Sequence, residues 1–369
     1  MKALLVKPPY YSAFPSLGLL KISALLNRKG YTPTGPERYH EGPNKPASFT
    51  PDEIYVTSLF TYAWKAVHSS VAYYRQMYPK AKIFLGGLYA SLLPEHAKIS
   101  GAEVREGLFE EAEGLMPDYS IVPEWDGSIV FSSRGCIRKC PFCAVPLLEK
   151  EFVAKPSIKD FIYPSHRRII LWDNNFLASP YWYEILSEIK QRNLWVDFNQ
   201  GLDSRLLDDE KADMLASMKT RLIRSAYDSK YSRKEIERSI GLLAERGVSR
   251  RKILLYVLYN SESDTPDDLI SRILDTMEWG VASYPMRYQP MKLPYALEKD
   301  SYVSPKWTEE KLEMVADARR VLGYHGAFAP YEKLKEKFQK ANSFEDALAL
   351  RPKRRLQVAK VMSYKCSCN

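Results

Sequence analysis

Residues 129–143 read IVFSSRGCIRKCPFC, in which a short apolar segment runs into three cysteines, Cys136, Cys140 and Cys143. Their spacing is C-x3-C-x2-C. Three thiolates can hold a cubic iron–sulfur cluster while one iron stays without a protein ligand, whereas clusters that only carry electrons are usually held by four cysteines. An iron without a protein ligand implies that a small molecule binds there. The motif therefore predicts a cluster that takes part in chemistry.

A zinc site, a disulfide framework and chance spacing compete with the cluster as interpretations of these cysteines. A zinc site normally has four ligands, often as paired C-x2-C motifs or with histidines. The nearest histidine here is His166, and no second cysteine pair lies nearby. A disulfide framework is typical of small secreted domains, whereas a chain of 369 residues with five cysteines needs no such support. The cluster therefore fits the motif better than zinc or disulfides do.

Length and composition indicate a soluble globular protein with room for two domains and a tail. The 369 residues are 45% hydrophobic and 27% charged, which is ordinary for that class. No apolar run approaches the roughly 18 residues of a membrane span, and the amino-terminal apolar run breaks at Pro8, too early for a signal peptide. We therefore expect a cytoplasmic protein without a membrane partner, in a reducing compartment that protects the cluster.

The positive charge is concentrated toward the carboxyl terminus. The whole chain carries +9, and residues 305–369 hold 14 Lys and Arg against 8 Asp and Glu, a balance of +6. The densest part is the RPKRR run at residues 351–355. Such a patch can follow the phosphates of a nucleic acid. We favour the simpler interpretation, a solvated charged helix surface, and keep nucleic acid as an alternative partner.

The first 115 residues alternate strands with helices. Residue patterns predict strands over 2–7, 53–60, 82–85 and 103–106, and helices over 17–29, 64–78 and 94–100. Residues 32–51 are rich in Pro and Gly and predict a loop where a regular unit would have a helix. The β-α-β-α-β order predicts a parallel, doubly wound, Rossmann-like sheet.

After a linker over residues 116–127, the alternation resumes. Predicted strands cover 129–132, 168–172, 195–199, 221–226, 252–258 and 286–289, and predicted helices cover 181–192, 208–218, 233–246 and 266–279. About six β/α units are too few for a complete eight-fold barrel and predict a partial (β/α)6 barrel of the TIM type, with reactive groups at the carboxyl ends of the strands. A helical, basic extension follows, so the predicted domains are 1–115, 116–303 and 304–369.

The cysteine motif and the chain around it resemble the radical S-adenosylmethionine (radical SAM) superfamily. The resemblance implies a [4Fe–4S] cluster on Cys136, Cys140 and Cys143, with the amino and carboxylate groups of S-adenosylmethionine (SAM) on the fourth iron. One electron from the reduced cluster then cleaves a sulfonium C–S bond and forms a 5′-deoxyadenosyl radical, which abstracts hydrogen from a substrate that the sequence does not identify. The resemblance also implies an electron donor such as flavodoxin or ferredoxin.

The same resemblance assigns residues that contact SAM. Phe142 matches the family position beside the adenine, and simple core packing is its alternative. Asp173 and Asn174, in the segment WDNNF, match a D-D-x-F segment that grips the methionyl amine. Asn174 stands where the family has Asp, which lowers the charge. The alternative for this pair is an Asn-rich turn that caps a helix.

Two further strand ends resemble the family. Gln200 and Arg205 match the segment that reaches the ribose and the carboxylate of SAM, and a planar guanidinium suits two oxygens. A structural salt bridge to a neighbouring Asp is the alternative for Arg205. Asp228 and Ser229 match a G-x-E-S segment whose carboxylate accepts hydrogen bonds from ribose hydroxyls. The end of the fifth strand has no such match, and no catalytic residue is assigned beyond the cluster.

The amino-terminal region resembles the cobalamin-binding domain that precedes many radical SAM cores. Residues 15–20 (PSLGLL) resemble its P-P-L-G-L segment, while Ser58, Gly86 and Gly87 follow two strands where glycine lets a backbone approach a nucleotide loop. The D-x-H-x-x-G motif is missing, because residues 8–14 contain neither Asp nor His. Two outcomes stay open: cobalamin bound without histidine, with methylcobalamin methylating the substrate radical, or a domain that only shapes the substrate site.

Other functions also stay open. One is a cobalamin-free radical SAM enzyme that modifies a nucleotide or nucleic acid, and another is a non-catalytic iron–sulfur redox or sensor protein. Acidic, amide and Arg residues at three successive strand ends argue against the sensor, which has no need of them. Cys366 and Cys368 end the chain in CSCN, where fraying is the default and a second metal site or a reducing pair is the alternative.

Overall fold

The computed structural model describes residues 1–323 and 331–350, and within them the chain is a mixed α/β protein with parallel sheets, as predicted. The basic run at 351–355 and the pair Cys366 and Cys368 lie outside the described residues. Within those two ranges, no helix has both the length and the apolar character needed to cross a membrane.

The amino-terminal part is built around one five-stranded sheet. Its strands are all parallel, in the order β2-β1-β3-β4-β5, and are β1 (Ala3–Lys7), β2 (Tyr39–Glu41), β3 (Glu53–Thr57), β4 (Lys82–Gly86) and β5 (Glu103–Val104). The helices of this part are α1 (Leu17–Arg28), α2 (Trp64–Met77), α3 (Leu88–Leu92), α4 (Pro94–Lys98) and α5 (Glu110–Glu113). Apolar residues of β1, β3 and β4 are fully buried, which is why those strands were predictable as continuous apolar runs.

The loop predicted over residues 32–51 is wrong in part, because it contains the edge strand β2. His40 of β2 pairs with Val6 of β1. The side chain of Arg38, just before the strand, is fully buried and donates to Oδ1 of Asn27 at 2.7 Å and to the carbonyl of Tyr31 at 2.6 Å. These long-range contacts fix the segment, and a strand of three residues is too short to produce a periodic pattern.

The second part repeats strands and helices up to residue 287. Its elements are β6 (Gly127–Val130), β7 (Ser133–Arg134), α6 (Val145–Leu148), β8 (Val153–Ala154), β9 (Arg168–Leu171), α7 (Trp182–Gln191), β10 (Trp195–Phe198), α8 (Asp209–Ser217), β11 (Ile223–Ala226), α9 (Arg233–Glu245), β12 (Ile253–Tyr259), α10 (Pro266–Glu278) and β13 (Ala282–Arg287).

Six of these strands form two parallel sheets of three, ordered β10-β9-β6 and β11-β12-β13. A single parallel bridge between Leu202 and Ser225 joins the region after β10 to β11. The last strand begins four residues before the predicted start at residue 286, because Pro285 interrupts the apolar pattern. Proline is tolerated at a sheet edge, and β13 is the edge strand here.

Three further helices follow, α11 (Glu309–Leu322), α12 (Tyr331–Lys340) and α13 (Phe344–Leu348). The region was predicted to be helical. Their buried apolar residues, such as Leu312, Phe338 and Phe344, belong to the same core as the strands β9 to β12 and the helices α7 to α10. Within the described range, these helices therefore pack directly on the second part.

Candidate functional site

The three cysteines lie in a loop that a small hairpin closes. Strands β7 and β8 pair antiparallel on either side of it, through Ser133 with Ala154 and Arg134 with Val153. Gly135 has a φ of +73°, and a Cβ at this position would overlap the carbonyl oxygen of Glu151. Glycine is therefore the residue that this turn requires.

The thiols of Cys136, Cys140 and Cys143 are half-buried and near one another. Burial raises the pKa of the Cys140 thiol, and the charges of Cys143 and Cys136 raise it further. Burial likewise raises the pKa of Cys143, with a contribution from Cys136. Backbone N–H groups point at two of the sulfurs, from Arg138 to Sγ of Cys136 at 3.3 Å and from Val145 to Sγ of Cys143 at 3.4 Å. Such donors favour a thiolate.

A site for a single metal ion has a different geometry from a site for an iron–sulfur cluster. Across residues 1–323 and 331–350, no group of three or more His, Cys, Asp and Glu side chains is arranged to hold a metal ion. A cubic cluster, by contrast, takes each thiolate at a different corner, so that its protein ligands surround a volume instead of a point.

Asn175 is the residue after β9 that reaches the thiols. Its side chain is buried, its Nδ2 lies 3.7 Å from Sγ of Cys136, and the same nitrogen donates to Oδ2 of Asp203 at 3.2 Å. Its Oδ1 is buried and has no hydrogen-bond partner within residues 1–323 and 331–350. The family resemblance pointed to the two preceding residues instead, although Asn175 lies in the same WDNNF segment.

The two residues predicted to grip an amine are engaged elsewhere. Asp173 is buried, and its carboxylate accepts hydrogen bonds from the backbone nitrogens and hydroxyls of Ser132 and Ser133, at 2.5 to 3.2 Å. Burial raises the pKa of Asp173, and these hydrogen bonds oppose that change. Asn174 donates to Oε2 of Glu149 at 3.2 Å. In the structure, Asp173 fixes the turn after β6 and Asn174 fixes the base of the cysteine loop.

Arg205, after β10, lies beside the thiols and is paired with a neighbouring Asp. Its Nε donates to Oδ1 of Asp203 at 2.7 Å and its Nη2 to Oδ2 at 3.0 Å. These hydrogen bonds raise the pKa of Arg205, and Cys140 and Asp228 contribute to the same change. The alternative of a structural salt bridge is thus present in the structure, close to Cys140. Gln200 is exposed and donates to Oδ1 of Asn199 at 3.2 Å.

Asp228, after β11, shares this space. Burial raises its pKa to about 6, against the opposing charges of Arg272 and Arg205. Its charge in turn contributes to the raised pKa of Cys140 and of Cys143. The neighbouring Ser229 is exposed, and its hydroxyl accepts from the backbone nitrogen of Tyr231 at 3.3 Å. Phe142 is half-buried within the cysteine loop.

One face of the strands near this site, the face that carries Arg224 and Tyr256 and is here called the inner face, is polar. Tyr227 of the segment after β11 faces the helices, since its hydroxyl donates to Asp275 of α10 at 2.6 Å. Residues alternate in a strand, so Arg224 and Ala226 of β11 face the side away from the buried residues Ile223 and Ser225. Ala226 is exposed although it lies within a paired strand, which indicates open space on that face.

Strands β10 to β13 each contribute to this inner face. Asp197 of β10 forms an ion pair with Arg224 of β11, and Tyr256 of β12 contacts the ring of Tyr284 of β13, with centroids 6.0 Å apart. Burial raises the pKa of Tyr256, which also feels the charges of Arg224 and Asp197. Charged and hydroxyl groups therefore stand on this face of the strands.

Ser58, Gly86 and Gly87 lie where β3 and β4 end, and they contact one another. The buried hydroxyl of Ser58 donates to the carbonyl of Gly86 at 2.6 Å and accepts from the backbone nitrogen of Ala90 at 3.3 Å. Gly87 has a φ of +99°, and a Cβ there would lie 3.0 Å from the nitrogen of Ser58. The close approach of Gly87 in the structure is to Ser58, and the approach of a nucleotide loop to these glycines stays a prediction. Helix α3, which begins at Leu88, packs against α6 of the cysteine loop.

A network of ion pairs, which no local sequence pattern indicates, connects the two parts. Glu113 of α5 accepts from Lys21 of α1 and from Arg134 of β7, both at 2.8 Å. Arg134 also donates to Glu149 at 2.9 Å and stacks 3.6 Å from the ring of Phe131. Burial lowers the pKa of Lys21 to about 8, against the opposing charge of Glu113. The base of the cysteine loop is thereby fixed to the amino-terminal part.

Comparison with models of known protein families found no match, and comparison with curated protein sequences found none either.

Proposed function

We propose that the chain is a radical SAM enzyme, in which Cys136, Cys140 and Cys143 hold a [4Fe–4S] cluster and SAM binds the remaining iron. One observation carries the proposal. Three half-buried thiols lie in one loop, and Nδ2 of Asn175 lies 3.7 Å from one of them, that of Cys136, while its buried Oδ1 has no hydrogen-bond donor among the described residues. A buried acceptor without a partner is costly, and the ammonium group of SAM is a donor of the required kind.

The donor set fits such a cluster. Three thiols from one loop supply three corners, and the N–H groups of Arg138 and Val145 point at the sulfurs of Cys136 and Cys143. When bound, the cluster would supply one electron to the sulfonium of SAM. The cluster would receive this electron from a donor such as flavodoxin or ferredoxin. The chain's own part is to bind and orient SAM and to exclude water.

Each strand end then has a proposed task. Oδ1 of Asn175 accepts from the methionyl ammonium, a task that the sequence assigned to Asp173 and Asn174. Arg205 offers its outer guanidinium edge to the carboxylate, since Asp203 occupies only part of its donors. Asp228 accepts from the ribose hydroxyls, and Phe142 packs beside the adenine. The polar inner face that includes Arg224 and Tyr256 receives the substrate.

The strand orders support the same proposal. The amino-terminal order β2-β1-β3-β4-β5 is one of the two common orders of doubly wound sheets. The six later parallel strands follow each other in space as in sequence, apart from the weak junction at Leu202 and Ser225. We propose that they form a partial (β/α)6 barrel, whose chemistry lies at the carboxyl ends of its strands. We also propose a cytoplasmic location, since the cluster requires a reducing compartment.

For the amino-terminal part we propose a role in shaping the substrate site rather than in binding cobalamin. Ser58 and Gly87 close on each other, and α3 packs on α6, so the edge of this sheet is occupied by contacts within the chain. Cobalamin binding remains one of the outcomes of the test below, because it would move the reaction toward methyl transfer.

The test is anaerobic reconstitution with iron and sulfide, with and without hydroxocobalamin. After reduction with dithionite and addition of SAM, mass spectrometry should detect 5′-deoxyadenosine. Each of Cys136→Ala, Cys140→Ala and Cys143→Ala should abolish it, while the matched control Cys366→Ala/Cys368→Ala should not. If the protein retains corrin and forms S-adenosylhomocysteine as a second product, the reaction is a cobalamin-dependent methyl transfer and the cobalamin-free proposal is wrong. Purified protein that carries zinc, or an iron-loaded chain without SAM cleavage, would refute the proposed function, the latter in favour of a sensor.

A further inference from the structure

We propose that Asp203 is a positioning residue, which holds the cysteine loop against two strand ends and balances the positive charges beside the thiols. This inference rests on the proposed function, since it concerns the cluster that the thiols would hold. Asp203 lies in the loop between β10 and α8 and is not one of the residues to which a resemblance assigned a role.

Asp203 joins three separate segments through one carboxylate. Oδ2 accepts from Nε of Arg138 at 3.0 Å, from Nδ2 of Asn175 at 3.2 Å and from Nη2 of Arg205 at 3.0 Å. Arg138 lies within the cysteine loop itself, between Cys136 and Cys140. The carboxylate is thus the point where the loop, the end of β9 and the end of β10 are held together.

Each of these three partners is in turn next to a thiol. The backbone nitrogen of Arg138 and the amide of Asn175 both contact Sγ of Cys136. Arg205 lies close enough to Cys140 for its charge to act on that sulfur. A change at Asp203 would therefore alter the surroundings of two of the three sulfurs, those of Cys136 and Cys140, through residues that lie between them and Asp203.

Because Asp203 is buried, the loss of one of its contacts has a large energetic effect. The side chain of Asp203 is 8% exposed, and that of Arg138 is 34% exposed. Burial acts to raise the pKa of Asp203, but hydrogen bonds from Arg205 and Arg138 outweigh it and lower the pKa. Asp203 is therefore a carboxylate anion at neutral pH. Removing one partner of such a pair leaves an uncompensated charge in a poorly hydrated place, which is costly.

The charge balance predicts effects of opposite sign on the cluster. A carboxylate near the cluster disfavours its reduced, more negative form, and an arginine favours it. Asp203→Asn keeps the shape of the side chain and removes its charge, so the midpoint potential should rise. Arg138→Met removes the cation on the other side of the same contact, so the potential should fall. The double variant should lie between the two single variants.

The experiment uses the full chain, reconstituted with iron and sulfide and studied without SAM. Iron content, the electron paramagnetic resonance spectrum of the reduced cluster and its midpoint potential are measured for wild type, Asp203→Asn, Arg138→Met and the double variant. The matched control is Asp209→Asn, which removes an exposed carboxylate paired with Arg246 at 2.7 Å, six positions further along. The control should leave all three readouts unchanged.

The outcomes separate this inference from the proposed function. Opposite shifts in the two single variants support it, because a merely structural defect would not change sign with the charge removed. A folded Asp203→Asn chain that no longer takes up iron also supports it, as lost loop geometry. An iron-loaded Asp203→Asn variant with the spectrum and potential of wild type would overturn it. If Asp203→Asn does not fold, an unchanged potential in Arg138→Met overturns it instead. The proposed function fails separately, through a wild-type chain that cannot load iron or cleave SAM.

Discussion

The backbone nitrogen of Gly135 donates a 2.6 Å hydrogen bond to Oε2 of Glu149, 14 residues further along the chain. The same carboxylate accepts from Arg134 through Oε1 and from Asn174 through Oε2. One side chain thus closes a loop that contains all three cysteines and only one turn of regular helix, α6. Few backbone hydrogen bonds form within the loop, so the geometry of the loop depends on the contacts of Glu149.

Gly135→Ala should prevent iron uptake. The added Cβ would overlap the carbonyl of Glu151, and an L-residue rarely adopts the φ of +73° found here. The turn must shift, and the bond to Glu149 is then lost. Iron and sulfide per chain after reconstitution measure the effect. The control is Gly241→Ala in α9, where a Cβ meets no atom within 4 Å, and where alanine should add about 0.5–1 kcal/mol of stability. Normal iron uptake by Gly135→Ala would contradict the prediction.

Glu113→Ala should uncouple the two parts of the chain. Glu113 is the carboxylate between Lys21 and Arg134, and its side chain is 23% exposed. Its loss leaves the buried ammonium of Lys21 and the half-buried guanidinium of Arg134 facing each other, so the free energy of unfolding should fall by about 2–4 kcal/mol, as measured by urea denaturation. Iron uptake should fall as well, since Arg134 also supports the cysteine loop.

Glu111→Ala is the control for that variant. Glu111 lies in the same helix α5 and pairs with Lys29 at 2.6 Å, but both side chains are exposed, at 64% and 48%. A pair of this kind contributes at most about 1 kcal/mol. Equal effects of the two substitutions would show that Glu113 does not act through its burial between the two cations.

Much of the strand and helix alternation is predictable because it is local. The strands β3 and β12 have buried apolar residues along most of their length, and the helices α1 and α10 carry an apolar stripe, so a window of ten residues contains the signal. The strand β2 and the pair β7 and β8 have two or three residues each. Their pairing depends on partners far along the chain, which no local pattern reveals.

The site is predictable to a similar degree. The spacing of the three cysteines and their position after a strand identify the loop. Which amide reaches Cys136 depends on how the chain turns after Leu171, and the turn is set by the bonds of Asp173 to Ser132 and Ser133, about 40 residues earlier. Asn175, and neither of the two residues before it, therefore reaches the thiol of Cys136. The contacts of Asp203 with Arg138 and Asn175 are likewise long-range.

Acid should destabilise the amino-terminal part through His40. This residue is 7% exposed, its Nδ1 lies 3.0 Å from the hydroxyl of Tyr74, and burial lowers its pKa from 6.5 to about 4, with a smaller contribution from Lys45. The unfolded chain binds a proton near its ordinary pKa, whereas the folded chain resists it. Stability is therefore lost as the pH falls from about 6.5 to about 4, by at most about 3 kcal/mol from this group.

His40→Gln should remove that part of the pH dependence. The free energy of unfolding, measured by urea denaturation at pH 7 and at pH 4.5, should differ less in the variant than in wild type. Ser70→Ala is the control, because Ser70 is fully buried beside this core and donates to Asn44 at 2.7 Å but does not titrate. It should lower stability by roughly 1 kcal/mol at both pH values. An unaltered pH dependence in His40→Gln would count against a neutral, buried imidazole.

Arg272→Met should be among the most destabilising substitutions in the chain. The guanidinium of Arg272 is fully buried, donates through Nη1 to the carbonyls of Tyr227 and Leu258 at 3.0 and 2.9 Å, and pairs with Asp264 at 2.5 Å. It thus joins the carboxyl ends of β11 and β12. Methionine fills part of the volume but leaves two carbonyls and a carboxylate unpaired, so the loss should be about 3–5 kcal/mol.

The same substitution should also change the site, because Arg272 is the main charge that opposes the raised pKa of Asp228. Without it, the pKa of Asp228 should rise above about 6 and its carboxylate should be protonated over more of the neutral range.

Arg233→Met is the matched control for the stability effect of Arg272→Met. Arg233 pairs with Asp275 at 2.9 Å, yet the side chain of Arg233 is 42% exposed, so the loss of Arg233 should cost at most about 1 kcal/mol. Urea denaturation of both variants measures the difference, and a similar small loss in each would mean that water reaches the ends of β11 and β12 and replaces the guanidinium.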